Sequence, residues 1–392
     1  MNNKFPSEKN YTGRNFGDEE INLLTEVIKK GTLNSTHGYF VKKFEEEFSK
    51  LHSISFGIAA SSCTAAIHSA LFALGIKKGD EVITSPVTDF GAITPIVWLQ
   101  GIPVFCDLDP NTLLPTPETI KKRITKKTKA IIVTHLFGQM CDVEAIKMVA
   151  KDIPIIEDCA QAPLAMFNNK YAGTIGEISV FSFQQGKHIT CGEGGICLVR
   201  DSNLARRIRL FVNKGWPYGE KEPDHEFIAL NYRMTELQGA VLCAQIKKLE
   251  YSIKIRRENA KAFKEMIKVI DGVEPLPEPS SMVHSYWRFP VIVDETIVPG
   301  GAKALGNFLL ERRVPCQPNY VGKPAFELKA IKEDDLFGLS KLITTKKEEF
   351  PGTYEGLKRI LVFPWNENYK LEHIEKIVKE LKKGINYLKA GT

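Results

Sequence analysis

The sequence has no long apolar run and no Cys-x-x-Cys pair. Its longest notable uncharged stretch, residues 90–106, is interrupted by two glycines and two prolines and is too short to cross a bilayer comfortably. The first twenty residues contain no apolar signal core. The eight cysteines are scattered and several lie in apolar segments, so we expect free buried thiols rather than disulfides or zinc ligands. These absences predict a cytoplasmic protein with no membrane partner and no bound metal.

The charge of the chain gives little support to nucleic-acid binding. Lys and Arg number 53 against 47 Asp and Glu, and the net charge of +6 is spread along the chain instead of forming a basic tail. No G-x-G-x-x-G turn follows the early apolar runs, which disfavours a Rossmann-type nucleotide-binding module. The 392 residues are 43% apolar and 26% charged, which is ordinary for a globular chain with a large core.

Short runs rich in Val and Ile alternate with amphipathic segments in the first half of the chain. We predict buried strands in EVITSP, PVFCDL, KAIIVTH and PIIEDC, and later in SVFSFQ and GGICLVR. Helical patterns lie between or after these runs, at residues 64–74, 93–99, 117–124, 143–151 and 202–212. This alternation predicts an α/β fold with a mostly parallel sheet.

The character of the sequence changes near residue 240. A long helical pattern rich in Lys, Glu and Ala covers residues 240–270, and the Pro-rich segment VEPLPEPSSM follows it. The strand WRFPVIVD and helical patterns at residues 302–312 and 371–389 complete the chain. We therefore predict three parts, which are an N-terminal arm at 1–20, a large α/β domain at 21–240 and a smaller α+β domain at 241–392.

Two of the apolar runs end in residues suited to binding a charged ligand. In an open α/β sheet, ligands collect beyond the carboxyl ends of the strands. After GIAA, the small hydroxyl-rich segment 61–66 opens a helix, whose free N–H groups suit a phosphate, although an ordinary N-cap would look the same. Asp158 ends the run PIIED and could hold a cationic ring nitrogen, or it could be a turn or capping residue.

A third pattern centres on Lys187, in SFQQGKHITCGEGG, which lies between two predicted strands and precedes a glycine-rich turn. Most lysines are surface charges, but these flanking strands and small residues suggest an enclosed side chain. Enclosure lowers the pKa of an amine and makes it nucleophilic towards a carbonyl, which is the chemistry of Schiff-base formation. A phosphate cradle, a carboxylate and an enclosed lysine are together the anchors that pyridoxal 5′-phosphate requires.

The same segment resembles a pattern of the DegT/StrS-type sugar aminotransferases, which belong to the fold-type-I pyridoxal-phosphate enzymes. That pattern is Ser-Phe-x-x-x-Lys-x-Ile/Leu/Met-x-x-Gly-Glu-Gly-Gly. Four other segments support the resemblance: THLFGQ at 134–139, EDCAQA at 157–162, NYRMTELQGA at 231–240 and FPWNENY at 363–369. The resemblance extends over about residues 15–389 and implies a large domain with a mostly parallel central sheet and a smaller C-terminal α+β domain.

The resemblance also implies how the chain would hold the cofactor. Lys187 would form the Schiff base and later shuttle a proton, and Asp158 would pair with the pyridinium nitrogen. Gln161 would hydrogen-bond the phenolic oxygen, and Phe90 would stack on the ring. Many relatives carry Gly where this sequence has Cys63, but a backbone N–H would serve equally well there. The phosphate would be held by four residues: Ser62, Cys63, Thr64 and Ser182.

The implied assembly is a homodimer with shared active sites. Asn231, in NYRM, would reach the phosphate of the cofactor bound by the other subunit. Three further residues are weaker candidates for the substrate region, because packing or a surface position would explain each of them equally well: His188, Trp287 and Tyr320.

The activity implied by the resemblance is transfer of an amino group from an amino acid to a keto sugar in amino-sugar biosynthesis. The cofactor would carry the group as pyridoxamine 5′-phosphate between the two halves of the reaction. L-Glutamate is the expected donor, with glutamine as the alternative. A sugar nucleotide is the default acceptor, but QQGKH and FPWNENY also look similar to the branch acting on cyclitols or free sugar ketones, including the 8-keto-octulosonate of lipopolysaccharide synthesis.

Two other kinds of pyridoxal-phosphate protein stay open as alternatives. One is a sugar dehydratase or lyase, but the dehydratase branch of the family has His at the Schiff-base position, where this sequence has Lys187. The other is a non-catalytic regulator that binds the cofactor, which would not need an enclosed Lys187 and a ring-pairing Asp158 together. The sequence therefore favours aminotransfer.

Overall fold

The computed structural model describes residues 4–343 and 345–391, in which the strands form three sheets. The strands are β1 Phe56–Ala60, β2 Glu81–Thr84, β3 Ile102–Phe105, β4 Thr128–Thr134, β5 Ile155–Asp158, β6 Met166–Phe167, β7 Lys170–Tyr171, β8 Ile178–Ser182, β9 Gly195–Val199, β10 Val273–Pro275, β11 Met282–Val283, β12 Arg288–Val293, β13 Gln317–Pro318 and β14 Ile360–Pro364. The helices are α1 Asp18–Lys30, α2 Phe40–Leu51, α3 Cys63–Ala73, α4 Thr94–Trp98, α5 Pro117–Lys121, α6 Val143–Ala150, α7 Ser202–Val212, α8 Glu236–Ile267, α9 Gly301–Glu311, α10 Lys329–Lys332, α11 Pro351–Arg359 and α12 Leu371–Ala390. None of these described helices combines the length and the apolar character that crossing a membrane requires.

The central sheet contains seven of the described strands, in the order β1-β9-β8-β5-β4-β2-β3. Strands β8, β5, β4, β2 and β3 are parallel, whereas β9 pairs antiparallel with both β8 and β1. Within this described sheet β9 therefore runs against the other six, and the prediction of a mostly parallel sheet is confirmed. The six runs predicted as strands in the first half of the chain coincide with β2, β3, β4, β5, β8 and β9.

Both faces of the central sheet are buried, as the sequence of β4 illustrates. Ala130 and Ile132 pack in the same cluster as residues of α3 and α7. Ile131 and Val133 pack instead with residues of α2 and α8. Because successive side chains of a strand point to opposite faces, burial on both sides explains why the strand is continuously apolar. A ligand can therefore approach this sheet only at the ends of its strands.

A second, antiparallel sheet with the order β10-β12-β14-β13 shares a separate core with α9 and α12. Helix α8 joins the two parts. Leu249 and Ile253 near its middle pack in the core of the central sheet, whereas Phe263 and Ile267 near its end pack in the second core. The helix is continuous through residue 240, and a domain boundary at that residue stays a prediction.

The segment before α1 lies against both parts of the chain. The Asn366 side chain donates to the carbonyl of Gly13 at 3.1 Å, and Lys248 donates to the carbonyl of Asn15 at 2.8 Å. The first three residues of the predicted arm lie outside the described residues. The remainder of the arm is thus held by side chains from α8 and from the segment after β14.

Strand β1 lies at the edge of the central sheet, and an ion pair contacts its outer backbone groups. The Glu45 carboxylate accepts a hydrogen bond from the Ala59 N–H at 2.7 Å and pairs with Arg209 at 2.6 Å. Arg209 also donates to the carbonyl of Gly57 at 3.1 Å. One donor and one acceptor of the edge strand are therefore bonded to side chains from α2 and α7.

Candidate active site

The predicted cofactor anchors meet at one edge of the central sheet. Asp158 is the last residue of β5, Lys187 follows β8, and Cys63 opens α3 after β1. These three strands run in the same direction, so their carboxyl ends lie together. The topology thus brings a carboxylate, an amine and a helix N-terminus to the place where open α/β sheets bind ligands.

The Lys187 side chain is partly exposed, but protein surrounds its amine. Burial lowers the pKa of this amine below its ordinary value, although Cys63, Asp158 and Asp89 act in the opposite direction. The Nζ atom lies 4.4 Å from the centroid of the Trp287 ring, which is a cation–π distance. A lowered pKa increases the fraction of neutral amine, which is the nucleophilic form.

The Asp158 carboxyl is buried and accepts few hydrogen bonds from the protein. It accepts one from the Ala160 N–H at 3.1 Å and a long one from the Thr134 hydroxyl at 3.4 Å. Burial raises the pKa of this carboxyl, while the Ala160 N–H and the charge of Lys187 act to lower it. A buried carboxylate of this kind is stabilised by a cationic partner, as the expected contact with a ring nitrogen requires.

The neighbouring Glu157 points to the opposite face and is fully bonded. It accepts hydrogen bonds from His135 at 3.0 Å and from three backbone N–H groups, those of Gly173, Ile175 and Gly176, at 2.6–2.8 Å. Burial alone would raise the pKa of Glu157, but these donors hold it below its ordinary value. This network fixes the end of β5 and, through it, the backbone that carries Asp158.

The expected phosphate cradle lies at the start of α3. The Ser62 hydroxyl accepts from the Ala65 N–H at 3.1 Å, which is an ordinary N-cap. Burial raises the pKa of the Cys63 thiol well above its ordinary value, so this residue adds no charge to the cradle. Thr64 is exposed, and Ser182 accepts from the Gln184 N–H at 3.4 Å.

Gly195, at the start of β9, makes this cradle possible. A Cβ atom at this position would lie 2.5 Å from the Ser62 carbonyl carbon and 2.6 Å from the Cys63 nitrogen. Both neighbours are backbone atoms, so any side chain at residue 195 would displace the N-terminus of α3.

We expect the substitution Gly195→Ala to raise the Kd for pyridoxal phosphate at least about tenfold, because a small displacement of binding groups is costly. Titration of the cofactor-free protein by absorbance measures this. Gly17→Ala is the matched control, since its added Cβ would meet nothing within 4 Å. Equal cofactor affinities of the two variants would contradict the prediction.

Comparison with known proteins identifies the chain. Residues 15–382 match the model of the DegT/DnrJ/EryC1/StrS aminotransferase family. The chain belongs to this family. It is 35% identical over 286 residues to GDP-perosamine synthase of Escherichia coli O157:H7, covering 72% of this chain and 77% of that protein. It is 32% identical over 321 residues to L-glutamine:2-deoxy-scyllo-inosose aminotransferase of Streptomyces kanamyceticus, covering 77% of this chain and 75% of that protein.

Solved structures agree with the fold of such an aminotransferase. An aminotransferase from Psychrobacter cryohalolentis superimposes with a TM-score of 0.86 at 27% identity, over 95% of this chain and 98% of that chain. A sugar aminotransferase from Streptococcus pneumoniae, in its pyridoxal-phosphate form, gives a TM-score of 0.85 at 20% identity, over 95% and 97% of the two chains. The fold-type-I architecture predicted from the sequence is therefore confirmed.

Pyridoxal 5′-phosphate is the cofactor of this aminotransferase family, and the described residues fit it. The amine of Lys187 has a lowered pKa suited to a carbonyl, and Asp158 is a buried carboxylate suited to a cationic nitrogen. The start of α3 supplies the N–H groups of a first helical turn and hydroxyls suited to a phosphate. The individual roles of these residues were expected from the sequence and stay predictions.

Gln161 and Tyr320 lie together, and their roles towards the cofactor and a substrate stay predictions. The Gln161 side-chain oxygen accepts from the Phe137 N–H at 2.7 Å, so its NH₂ group is the part left to donate to another oxygen. Burial raises the pKa of the Tyr320 hydroxyl to about 12, and Arg288 and a hydrogen bond from Gln161 act against this. This orientation of Gln161 is the one that donation to a phenolic oxygen requires.

The structure gives protein contacts for two of the weaker substrate candidates, and their roles towards a substrate stay predictions. The Trp287 indole N–H donates to the Gly186 carbonyl at 2.7 Å, and its ring covers the Lys187 amine. His188 is buried and bonded through Nε2 to the Ser285 carbonyl at 3.0 Å. Its Nδ1 atom has no hydrogen-bond partner within the part of the chain that the structure describes. A contact between His188 and substrate thus stays a prediction without geometric support.

Phe90 is partly buried, whereas Asn231 lies on the surface. Phe90 begins the 3₁₀ turn Phe90–Ala92, which Asp89 caps, and it packs beside the buried Ile93. Asn231 is exposed, and its side chain accepts only a long bond of 3.5 Å from the Arg233 N–H among the hydrogen bonds of the described residues. Stacking by Phe90 and an intersubunit role for Asn231 both stay predictions.

Sequence reasoning missed several residues that act on the Lys187 amine or its loop. Asp89 and Arg288 both influence the pKa of Lys187, with opposite signs. Arg14 contacts the backbone carbonyl of Lys187 itself, at 2.7 Å. Asp89 could have been found, since it directly precedes the predicted ring-stacking Phe90. Nothing in the local sequence around Arg14 or Arg288 indicates its contact.

Proposed function

We propose that the chain transfers an amino group from an amino acid to the keto group of a sugar or cyclitol in amino-sugar biosynthesis. The observation that carries the proposal is the meeting of Lys187, Asp158 and the start of α3 at one sheet edge in a member of this aminotransferase family. L-Glutamate is the proposed donor, with L-glutamine as the alternative. Location in the cytoplasm stays a prediction from the sequence.

The chemistry divides between the cofactor and the chain. Bound pyridoxal phosphate supplies an electron sink for the bond that is broken next to the nitrogen. Lys187, with its lowered pKa, would take a proton from the donor carbon and return it to the cofactor carbon on the other side of the nitrogen. Asp158 would keep the ring nitrogen protonated, because a nearby negative charge favours the cationic form. Gln161 would donate its NH₂ group to the phenolic oxygen.

The class of acceptor is supported by the names of two relatives. One is a GDP-perosamine synthase, named for a nucleotide-linked amino sugar, and the other is an aminotransferase named for an inosose and for L-glutamine. We propose a nucleotide-linked keto sugar as the first acceptor to test. A keto cyclitol and a free 8-keto-octulosonate are the alternatives that the sequence left open.

The test of this function is an absorbance experiment. The protein is loaded with pyridoxal phosphate, and its visible band is recorded before and after addition of L-glutamate and, separately, L-glutamine. We expect one of these amino acids to reduce the band and an accepted keto compound to restore it. A band that neither amino acid changes would count against the proposed donors, and a band restored by no keto sugar would count against the acceptor class.

We also propose that the active unit is a homodimer with shared sites. Asn231 belongs to an exposed loop on which Ile228 and Leu230 also expose apolar side chains, with Ile228 98% exposed. An exposed apolar cluster of this kind is typical of a protein interface. Contact with a second subunit would bury it and bring Asn231 to the partner's cofactor.

Mixing two inactive variants should restore activity if the sites are shared. A dimer of one Lys187→Ala subunit and one Asn231→Ala subunit would contain one site with both substitutions and one site with neither. Random exchange of equal amounts should thus recover roughly a quarter of wild-type activity, since half the dimers are mixed and each has one intact site. Activity is measured after subunit exchange. No recovery in dimers proved to be mixed would show that Asn231 acts within its own subunit.

A further inference from the structure

Three consecutive carbonyl groups of the loop that carries Lys187 are bonded by side chains from distant parts of the chain. Arg14 of the N-terminal arm donates to the carbonyls of Gln185 and Lys187, the latter at 2.7 Å. Trp287, which precedes β12, donates to the carbonyl of Gly186 between them at 2.7 Å. The loop is therefore held from both sides, by the arm and by the smaller sheet.

Arg14 is buried, with 7% of its surface exposed, and its hydrogen bonds go to backbone carbonyls. Its third bond, from Nε, reaches the carbonyl of Glu8 at 3.2 Å within the arm. The same Glu8 carbonyl accepts from the Gln185 side chain at 2.8 Å, so arm and loop are bonded in both directions. The Glu8 carboxylate also pairs with Arg288 at 2.6 Å, which ties the arm to β12.

We propose that Arg14 is a positioning residue for the aminotransfer reaction, which it serves by fixing the backbone of the loop that carries Lys187. This inference rests on the proposed function. The Lys187 amine would leave the cofactor in the first half of the reaction, move protons while it is free and rejoin the cofactor at the end of the second half, so the position of its backbone decides where the free amine can reach. A misplacement of about 1 Å in such a group can cost about 10²-fold in rate.

The fork of the guanidinium explains why Arg stands at this position. Its donors are rigidly oriented and bond two carbonyls two residues apart at once, which fixes the orientation of the loop as well as its position. A lysine ammonium is a single flexible point charge and would hold one carbonyl at a time. Arg14→Lys should therefore retain only part of the turnover that Arg14→Met loses.

The kinetic test compares Arg14→Met and Arg14→Lys with a matched control, Arg257→Met. Arg257 is partly buried, and its hydrogen bonds within the described part of the chain go to the backbone carbonyls of His284 and Leu164, each at 2.8 Å and outside the lysine loop. We expect Arg14→Met to lower kcat about 10–100-fold while changing the donor KM less than about threefold. Arg257→Met should keep kcat within about threefold of wild type. Equal losses of kcat in the two Met variants would overturn the proposal.

Hydrogen exchange of the loop gives a readout that does not depend on activity. Amides of residues 184–191 are followed in the protein with and without pyridoxal phosphate. Arg14→Met should speed their exchange in both forms, Arg14→Lys should do so less, and Arg257→Met should leave them as in wild type. Unchanged exchange in Arg14→Met would overturn the proposal, as would faster exchange with an unchanged kcat. Failure of the wild-type protein to react with any donor would instead contradict the proposed function, while the exchange data still decide whether Arg14 fixes the loop.

Discussion

Replacement of Lys187 by Ala should abolish nearly all turnover and leave the cofactor pocket able to bind. The amine is the group positioned to move protons, and general acid–base transfer alone contributes roughly 10²–10⁴-fold to rate. Asp158 and the start of α3 remain in the variant, so it should still retain pyridoxamine phosphate. Single-turnover absorbance with L-glutamate measures the first effect, and equilibrium dialysis measures the second.

The matched control for this variant is Lys147→Ala. Lys147, on α6, pairs with Glu177 at 2.7 Å. It is not part of the site, so its loss should leave turnover near wild type. Small primary amines added to the Lys187→Ala protein should restore some activity in proportion to their neutral form. A Lys187→Ala protein that reacts at the wild-type rate, or that cannot be loaded with pyridoxamine phosphate, would contradict the assigned role.

Replacement of Asp158 by Asn should lower the rate of the donor half-reaction by on the order of 10²–10³-fold, the cost typical of removing one electrostatic contact in an active site. Asn has the same shape and can still accept the hydrogen bond from the Ala160 N–H. It has no charge with which to keep a ring nitrogen protonated. The expected loss therefore reports the charge of Asp158 rather than the packing at the end of β5. Stopped-flow absorbance with L-glutamate measures it.

Asp142→Asn serves as the control for the charge change. Asp142 caps α6 by accepting from the Ala145 N–H at 2.9 Å, and an Asn side chain can form the same cap. The rate of the donor half-reaction in Asp142→Asn should stay within about threefold of wild type. If Asp158→Asn is equally active, a contact between this carboxylate and the ring nitrogen is ruled out as a requirement of the reaction.

The sequence allowed the central sheet to be predicted because its strands are buried on both faces. Continuous Val- and Ile-rich runs such as KAIIVTH are the signature of that burial, and each became a strand. The same reasoning located Asp158 and Lys187, because residues at the carboxyl ends of parallel strands must lie together. The periodic pattern was a poorer guide to the start of α8. It placed the start at residue 240, whereas the helix begins at Glu236. The capping box of Thr235 and Gln238 marks that start in the sequence.

The remaining features depend on contacts between side chains and distant backbone groups. Arg14 lies 173 residues from Lys187, and Trp287 lies 101 residues from Gly186. No periodic pattern or local motif encodes such a pair, because the partner is a carbonyl that every residue possesses. The signals for α1 were local but were missed. Its first turn is acidic, its last turn is basic, and Gly31 ends it in the left-handed conformation.

The ion pair along β1 bears on how this protein behaves at high concentration. An edge strand with free backbone groups is a template on which an extended segment of another molecule can form a continuous sheet, the first step of many aggregates. At β1, Glu45 and Arg209 already bond the Ala59 N–H and the Gly57 carbonyl. An incoming strand would have to displace both charged side chains from these backbone groups. The pair therefore opposes self-association through β1, at one edge of the described central sheet.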